Sequence, residues 1–253
     1  MKFLGTGLAL LTVCMLLAED APEKKLVLHL GFDEENGLVC QDASGHSAPN
    51  FKAEIIDNGK TKRVDGKIGK ALEFDGVRQG AASGAVRVLH FYDKSINTQG
   101  LSIEVWMKLA GDADWQRGVM FIAASSPGNY GPGFILQYNW RNIQLISGKG
   151  PAKDGVKQHW TVTAPVPDLR GQWVYVAAVY DPAAKTAKIY LNGKLAVEEK
   201  NVEYIPPQNN PELSIGSGWY GKACGFKGAL DELKIYNYPL SDAEVMEHAK
   251  LDL

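Results

Sequence analysis

Strands with alternating hydrophobic and polar residues dominate the chain. Leu26–Phe32 carries leucine or phenylalanine at every second position, and Leu101–Leu109 repeats this period of two. Such alternation predicts half-buried β-strands, and 134–138 and 142–146 are shorter candidates of the same kind. Trp173–Tyr180 is apolar at both parities, which predicts a central strand covered on both faces.

Two local signals mark a turn and a helix. Asn192-Gly193, between two strand-like runs, predicts a tight hairpin in which both turn residues adopt positive φ. Ser241-Asp242-Ala243-Glu244 has the pattern of a capping box and predicts a helix from about Asp242 to Lys250. One short terminal helix after many strands favours an all-β, antiparallel two-sheet sandwich.

The first residues have the pattern of a secretory signal peptide. Lys2 precedes an apolar run from Leu8 to Leu17, which is shorter than the about 20 residues that a bilayer span needs. We therefore expect no transmembrane segment and cleavage near Ala18, in a protein that is secreted, periplasmic or on the cell surface. A lipoprotein signal ending at Cys14 is the alternative, which the bulky Val13 before it disfavours.

The mature chain reads as one domain. Residues 19–25 form a short polar linker, and no linker divides residues 26–253. The 27 basic and 29 acidic residues are not clustered, which excludes the broad basic surface of a nucleic-acid-binding protein. The 27 glycines and 12 prolines fit a fold with many turns.

Six short motifs follow one another in order over residues 26–250. They are 28–33 with 42–45, the run 66–76 (GKIGKALEFDG), 102–107, 173–181, the hairpin 189–194, and the ending 226–236 with 239–241. The ending is the most specific. Together they resemble LamG-like jelly-roll domains of the concanavalin A-like lectin/glucanase superfamily. The resemblance implies a two-sheet jelly roll that usually serves as a ligand-binding module on secreted proteins, and it leaves the ligand open.

A catalytic carboxylate pair is missing from the strand where the resemblance would place one. Glycoside hydrolases need two carboxylates about 5 to 9.5 Å apart. The hydrolases of the superfold that this chain resembles carry them in a strand motif similar to E-x-D-x-E. Here Glu104 shares its strand face with Ser102 and Trp106. We therefore expect a protein that is not an enzyme, with a divergent polysaccharide lyase or glycoside hydrolase as an alternative.

Three aspartates are candidate ligands for a structural calcium ion. Asp231 has the parity of apolar Leu233 and Ile235, so in a regular strand it faces the core and requires a cation, hydrogen bonds or a bulge that turns it out. Asp33 and Asp42 flank the end of the first strand. Related jelly rolls often hold calcium where the first and last strands meet, and calcium prefers oxygen ligands. Turn capping by these side chains is the alternative.

Two cysteines remain after removal of the signal peptide. Cys40 and Cys224 lie near the two ends of the folded region. In an oxidising compartment such a pair predicts a structural disulfide.

Aromatic residues in loops are candidate ligand contacts. Trp219-Tyr220 lies between glycines, and Trp115 and Trp140 stand beside polar residues, where exposed rings can bury the apolar faces of sugars. Packing beneath loops is the alternative. Trp106 and Trp173 lie within strand patterns and are expected in the core. We therefore predict a secreted module that binds a polysaccharide or glycan. A protein-interaction or adhesion domain on the cell surface, with a cell-surface protein as its partner, is the alternative.

Overall fold

Two antiparallel β-sheets and one helix form the fold. The computed structural model describes residues 23–46, 51–56, 61–76, 84–89, 100–113, 118–124, 132–148, 158–203, 212–218 and 224–251. The elements are β1 (Leu26–Leu30), β2 (Val39–Cys40), β3 (Lys52–Ile56), β4 (Thr61–Asp65), β5 (Lys70–Asp75), β6 (Ala85–Leu89), β7 (Leu101–Leu109), β8 (Gly118–Ala124), β9 (Gly133–Tyr138), β10 (Asn142–Gly148), β11 (His159–Pro165), β12 (Trp173–Asp181), β13 (Thr186–Leu191), β14 (Lys194–Lys200), β15 (Leu213–Ile215), β16 (Lys227–Tyr236) and α1 (Asp242–Leu251).

The strands divide into two sheets that share one apolar core. Sheet A has the order β14-β13-β12-β7-β16-β5-β4, with β1 also paired to β16, and sheet B has the order β11-β10-β9-β8-β15-β6-β3-β2. Side chains on the inner faces, such as Val105 and Val176 of sheet A and Leu136 and Leu145 of sheet B, form one buried cluster. The predicted antiparallel jelly-roll sandwich is confirmed.

A second apolar cluster lies on the outer face of sheet A beneath α1. Tyr175 and Tyr236 pack there with Val245 and Ala249 of the helix. This explains why β12 is apolar at both parities, because one set of its side chains faces sheet B and the other faces α1. The prediction of a central strand covered on both faces is correct.

The predicted turn and helix start are both present. Asn192 and Gly193 have φ of 49° and 75°, and they join β13 to β14. At the start of α1, the backbone N–H of Glu244 donates to Ser241 Oγ at 3.2 Å, and the N–H of Ser241 donates to Glu244 Oε2 at 2.7 Å. This reciprocal pair is the capping box that the sequence predicts.

A bulge in β16 changes which face its residues occupy. Asp231 pairs with Trp106 and Lys234 pairs with Glu104, so β16 has one residue more than β7 over this interval. The extra residue, Glu232, has a φ of 50°. Asp231 therefore faces the outer side of sheet A, whereas Leu233 remains in the core. A bulge that turns Asp231 out of the core, one of the three arrangements that the sequence left open, is therefore present.

The predicted signal peptide precedes the described residues, which begin at Glu23. Within the described ranges, no helix is both long enough and apolar enough to cross a membrane.

Candidate functional site

Three segments that are distant in sequence meet at Gly118, the first residue of β8. Tyr138, at the end of β9, pairs with Gly118. Close by, the N–H of Gly216 donates to the carbonyl of Met120 at 2.8 Å. A Cβ at position 118 would lie 2.9 Å from the Cα of Phe226, so this close approach requires glycine. We call this part of the sandwich the Gly118 end.

Of the four predicted aromatic contacts, Trp140 lies in the described part of the chain, in the turn that follows β9. Trp140 follows Tyr138 by two positions. Trp115, Trp219 and Tyr220 lie outside the described residues. The segment 114–117 ends next to Gly118, and the segment 219–223 lies between Gly218 and Cys224 in the sequence.

Trp140 occupies a strained hairpin turn between β9 and β10. The backbones of Asn139 and Asn142 exchange two N–H···O bonds of 2.8 and 3.0 Å across the turn. Trp140 and Arg141 have φ of 50° and 59°, a conformation that costs about 1–2 kcal/mol for a residue with a Cβ and that favours Asn-Gly in such turns. The Trp140 side chain remains 63% exposed. The turn thus holds a large ring in solvent at a cost in backbone strain.

Side-chain amides line the outer face of sheet B beside this hairpin. Gln137 Nε2 and Asn139 Nδ2 both donate to Gln144 Oε1, at 2.8 and 3.1 Å. Gln144 Nε2 in turn donates to Thr163 Oγ1 at 3.3 Å. The ladder joins β9, β10 and β11. Gln137 is buried within it, whereas Asn139 and Gln144 are half-buried.

Charged side chains extend the polar surface beyond the hairpin. The N–H of Val166 donates to the carbonyl of Arg141 at 2.9 Å, and Arg170 Nε donates to Asp168 Oδ1 at 2.8 Å. The hydrogen bonds from Arg170 hold the pKa of Asp168 well below its usual range. Burial raises the pKa of the Tyr138 phenol, which also lies within the field of these charges.

A pocket of about 260 Å³ opens on the outer face of sheet A at the same end of the molecule. Trp173, Lys108 and Glu73 line it together with several small residues. Trp106 is buried, at 3% exposure, as the sequence predicts. Trp173 is half-buried and lines the pocket, so the expectation that it lies in the core is wrong. Its position beside Gly171-Gln172, at the very start of the strand, is the only sequence signal of this role.

The three predicted calcium ligands each bind backbone N–H groups. Asp231 Oδ2 accepts from the N–H groups of Lys67 and Ile68 at 2.7 and 3.0 Å. Asp33 Oδ1 accepts from the N–H of Lys70 at 2.8 Å. Asp231 and Asp33 therefore hold the same turn, between β4 and β5, from two sides.

Asp42 caps a different turn. Its Oδ1 accepts from the N–H groups of His29 and Ser44, each at 2.9 Å. Across the described ranges, no group of three or more acidic, histidine or cysteine side chains is close enough to hold a metal ion. These residues do not form an assembled ligand set, and calcium binding stays a prediction of the sequence.

Asp231 has one carboxylate oxygen that makes no contact with a partner. Asp231 is fully buried, and no described group donates to its Oδ1. Burial raises the pKa of this carboxyl to about 7. A proton on Oδ1 removes the cost of an unpaired buried charge.

Cys40 and Cys224 carry free thiols, so the predicted disulfide is not formed in the structure. Cys40 is buried, with Arg63 beside it, and Cys224 is half-buried.

Glu104 is buried beneath α1, at 1% exposure. Its carboxylate accepts a hydrogen bond from the Tyr175 hydroxyl and lies 2.9 Å from His248 Nδ1. The carboxylate is therefore shielded from any polymer that binds at the surface.

Comparison with known protein families identifies the chain. The family model described as the concanavalin A-like lectin/glucanases superfamily matches residues 81–246. The chain belongs to this superfamily. Comparison with curated proteins gave no match.

Two solved structures illustrate the proteins whose fold is similar to that of this chain. Domain 4 of AbnA, a GH43 extracellular arabinanase from Geobacillus stearothermophilus, in complex with arabinotriose, has 24% identity and a TM-score of 0.64, over 90% of this chain and 100% of that one. The binding domain of botulinum neurotoxin DC in complex with SialylT has 12% identity and a TM-score of 0.65, over 90% and 52%. This chain spans about half the length of the toxin domain.

Proposed function

We propose that this protein is a secreted, non-catalytic module that binds a polysaccharide or glycan at the Gly118 end. Trp140 provides the aromatic contact among the described residues. Trp115, Trp219 and Tyr220 are proposed to join it, because the described residues that bound their segments meet at the same end.

The strained exposure of Trp140 carries this proposal. A turn that served only to reverse the chain would favour Asn-Gly, which adopts the same backbone conformation with little strain. Strain of this kind concentrates at functional sites, where the surrounding structure holds it. A tryptophan ring offers a large flat apolar surface, and the exposed Arg141 with the half-buried Asn139 and Gln144 places polar side chains beside it.

The comparisons support the same ligand class. The arabinanase domain with the same fold is described with arabinotriose, and the toxin binding domain with SialylT. Lack of catalysis is supported by the burial of Glu104, since a glycosidase requires two carboxylates that reach the scissile bond.

Affinity electrophoresis tests the proposal. Purified residues 19–253 are run through native gels that contain arabinan, xylan, galactan, β-glucan or chitosan, and a sialylated glycoprotein serves as a separate probe. We expect at least one polymer to retard the wild type and Trp140→Ala to migrate as in a gel without polymer. Leu38→Ala is the matched control, because Leu38 is also strongly exposed, at 54%, but lies beside β2.

Binding to a cell-surface protein is the second candidate. Leu38 and Val39 are both exposed apolar residues, and Val39 lies on β2 at the edge of sheet B. Loss of cell adhesion on Leu38→Ala, with unchanged retardation in every gel, would favour this candidate. Release of reducing ends or unsaturated products from any polymer would instead identify an enzyme.

A further inference from the structure

We propose that the pocket beside Trp173 is a second sugar site, which accepts one neutral monosaccharide unit. The ligand class rests on the proposed function, whereas the location does not, because the pocket lies on sheet A and the Trp140 hairpin lies on sheet B. The pocket residues are distinct from the aromatic contacts that the sequence predicts.

Small residues create the pocket. Trp173 pairs with Lys108, Lys108 with Ala229, and Ala229 with Glu73, so these four residues form one row across four strands. Ala229 leaves space in the middle of the row, between the larger side chains at its ends. At the neighbouring Gly228, a Cβ would lie only 2.1 Å from the carbonyl oxygen of Lys108, so the floor requires glycine there.

The apolar cluster beneath α1 covers the part of this outer face that adjoins the pocket. The aromatic residues Trp106 and Tyr175 form the next row of the sheet, and they are buried in the cluster beneath α1. Trp173 is partly buried and packs against that cluster, and it also lines the pocket. An aromatic ring is thus part of the pocket wall, as in many small-molecule sites.

The polar groups of the pocket suit a ligand with hydroxyl groups. Neither Glu73 nor Lys108 forms an ion pair with another described residue. Lys108 Nζ lies over the Trp173 ring, 5.8 Å from its centroid, and its ammonium group carries three hydrogen-bond donors. Glu73 supplies carboxylate acceptors. Asp65, at the rim, is already paired with Lys70 Nζ at 2.7 Å.

Charge and size limit the ligand. The unpaired groups contribute one negative charge from Glu73 and one positive charge from Lys108, so neither an anionic nor a cationic ligand is favoured overall. The volume of about 260 Å³ is below the about 300–1,000 Å³ of pockets that enclose drug-sized molecules. One neutral sugar ring fits this charge and this volume. It would replace the Lys108 ammonium on the face of the Trp173 ring and turn its hydroxyl groups toward Glu73 and Lys108.

The segment 166–173 connects the pocket to the Trp140 hairpin. Its first residue, Val166, is bonded to Arg141 next to Trp140, and Gly171 N–H donates to the carbonyl of Leu109 at the pocket wall at 2.8 Å. Two weak sites on one rigid end would strengthen the retention of a long polymer through effective concentration.

Gly111→Leu adds a side chain to the pocket lining. Gly111 lines the pocket, and a Cβ placed there would have no heavy atom within 4 Å. Glu73→Ala is a second variant, at an exposed position. The probes are L-arabinose, D-xylose, D-glucose, D-galactose and N-acetyl-D-glucosamine, with D-glucuronate as the charged comparison. Binding is followed by saturation-transfer NMR.

We expect at least one neutral sugar to give a signal with wild type and with Trp140→Ala, and we expect Gly111→Leu and Glu73→Ala to lose it. The pocket proposal is overturned if no neutral sugar gives a signal, if both pocket variants keep the wild-type signal, or if glucuronate alone binds. Polymer retardation that depends on Trp140 would survive each of these outcomes. Conversely, a sugar signal that depends on the pocket, without retardation by any polymer, would support the pocket proposal and contradict the proposed binding site at Trp140.

Discussion

Glu104 of β7 and His248 of α1 fasten the terminal helix to sheet A. His248 Nδ1 lies 2.9 and 3.1 Å from the two oxygens of the buried Glu104 carboxylate. The Tyr236 ring stacks on the imidazole, with centroids 6.0 Å apart. A protonated His248 therefore neutralises a carboxylate that is shielded from water.

The His248 pair predicts a pH-dependent stability. The hydrogen bond from Glu104 raises the pKa of His248 above its usual 6.5, so the folded state holds the proton more tightly than the unfolded state. The stabilisation is complete below about pH 6.5 and is lost as the pH rises through the folded pKa. We expect His248→Gln to lower the free energy of unfolding at pH 6 by about 1–3 kcal/mol and to flatten its fall above pH 6.5. Equal slopes in denaturant titrations of both proteins would contradict this.

Asp231 predicts a second pH dependence, at lower pH. The folded state keeps the proton up to about pH 7, whereas the unfolded chain ionises near pH 3.8. Stability therefore falls as the pH rises from about 4 to 7. Asp231→Asn keeps an oxygen for the N–H groups of Lys67 and Ile68 and does not titrate, so we expect its melting temperature to change less over this range. Asp33→Asn, in the same turn, is the control, and a slope lost in both variants would speak against Asp231 as its source.

The turn at Trp140 predicts a trade of stability against binding. The double substitution Trp140→Asn with Arg141→Gly gives the pair that this hairpin geometry favours. We expect it to raise the free energy of unfolding by about 1–3 kcal/mol through relief of two left-handed residues, and to abolish polymer retardation. Guanidinium titration and native gels measure the two effects. A variant that loses both binding and stability would mean that the Trp140 ring serves packing.

A count of free thiols distinguishes the reduced cysteines of the structure from the disulfide that the sequence predicts. Burial raises the pKa of Cys40 to about 12, so we expect its thiol to react with a disulfide reagent only after unfolding. In denatured, unreduced protein of residues 19–253, the structure predicts two reactive thiols. A count of zero would support the disulfide between Cys40 and Cys224.

The calcium prediction is tested by metal analysis and by melting with and without a chelator. If Asp33, Asp42 and Asp231 bind calcium, chelation lowers the melting temperature of the wild type and leaves that of Asp231→Asn unchanged. Capping of backbone N–H groups alone gives a wild-type melting temperature that does not respond to the chelator.

Local signals in the sequence were sufficient for much of the fold. The capping box at Ser241 and the Asn192-Gly193 hairpin depend on residues within one turn of each other, and both were predicted correctly. The face of Asp231 depends on the extra residue in β16, which appears only when that strand is aligned with β7. Sequence alternation alone cannot reveal such a bulge.

The sequence also predicts only some features of the candidate sites. Trp140 was identified from its polar neighbours, but its left-handed conformation was not, because Trp-Arg carries no turn signal of its own. Trp173 was assigned to the core since its strand is apolar at both parities. Its partial exposure follows from the length of α1, which covers the rows of Tyr175 and Val179 and stops short of the first row.

The bulge at Glu232 means that the facing of β16 depends on the number of residues in this strand. Many residues can occupy a bulge, but its loss would restore strict alternation and reverse the facing of every residue on one side of it. Either Leu233 and Ile235 would leave the core, or Leu230 would leave it and Asp231 would enter. A deletion at this position is therefore incompatible with the packing of both faces of sheet A.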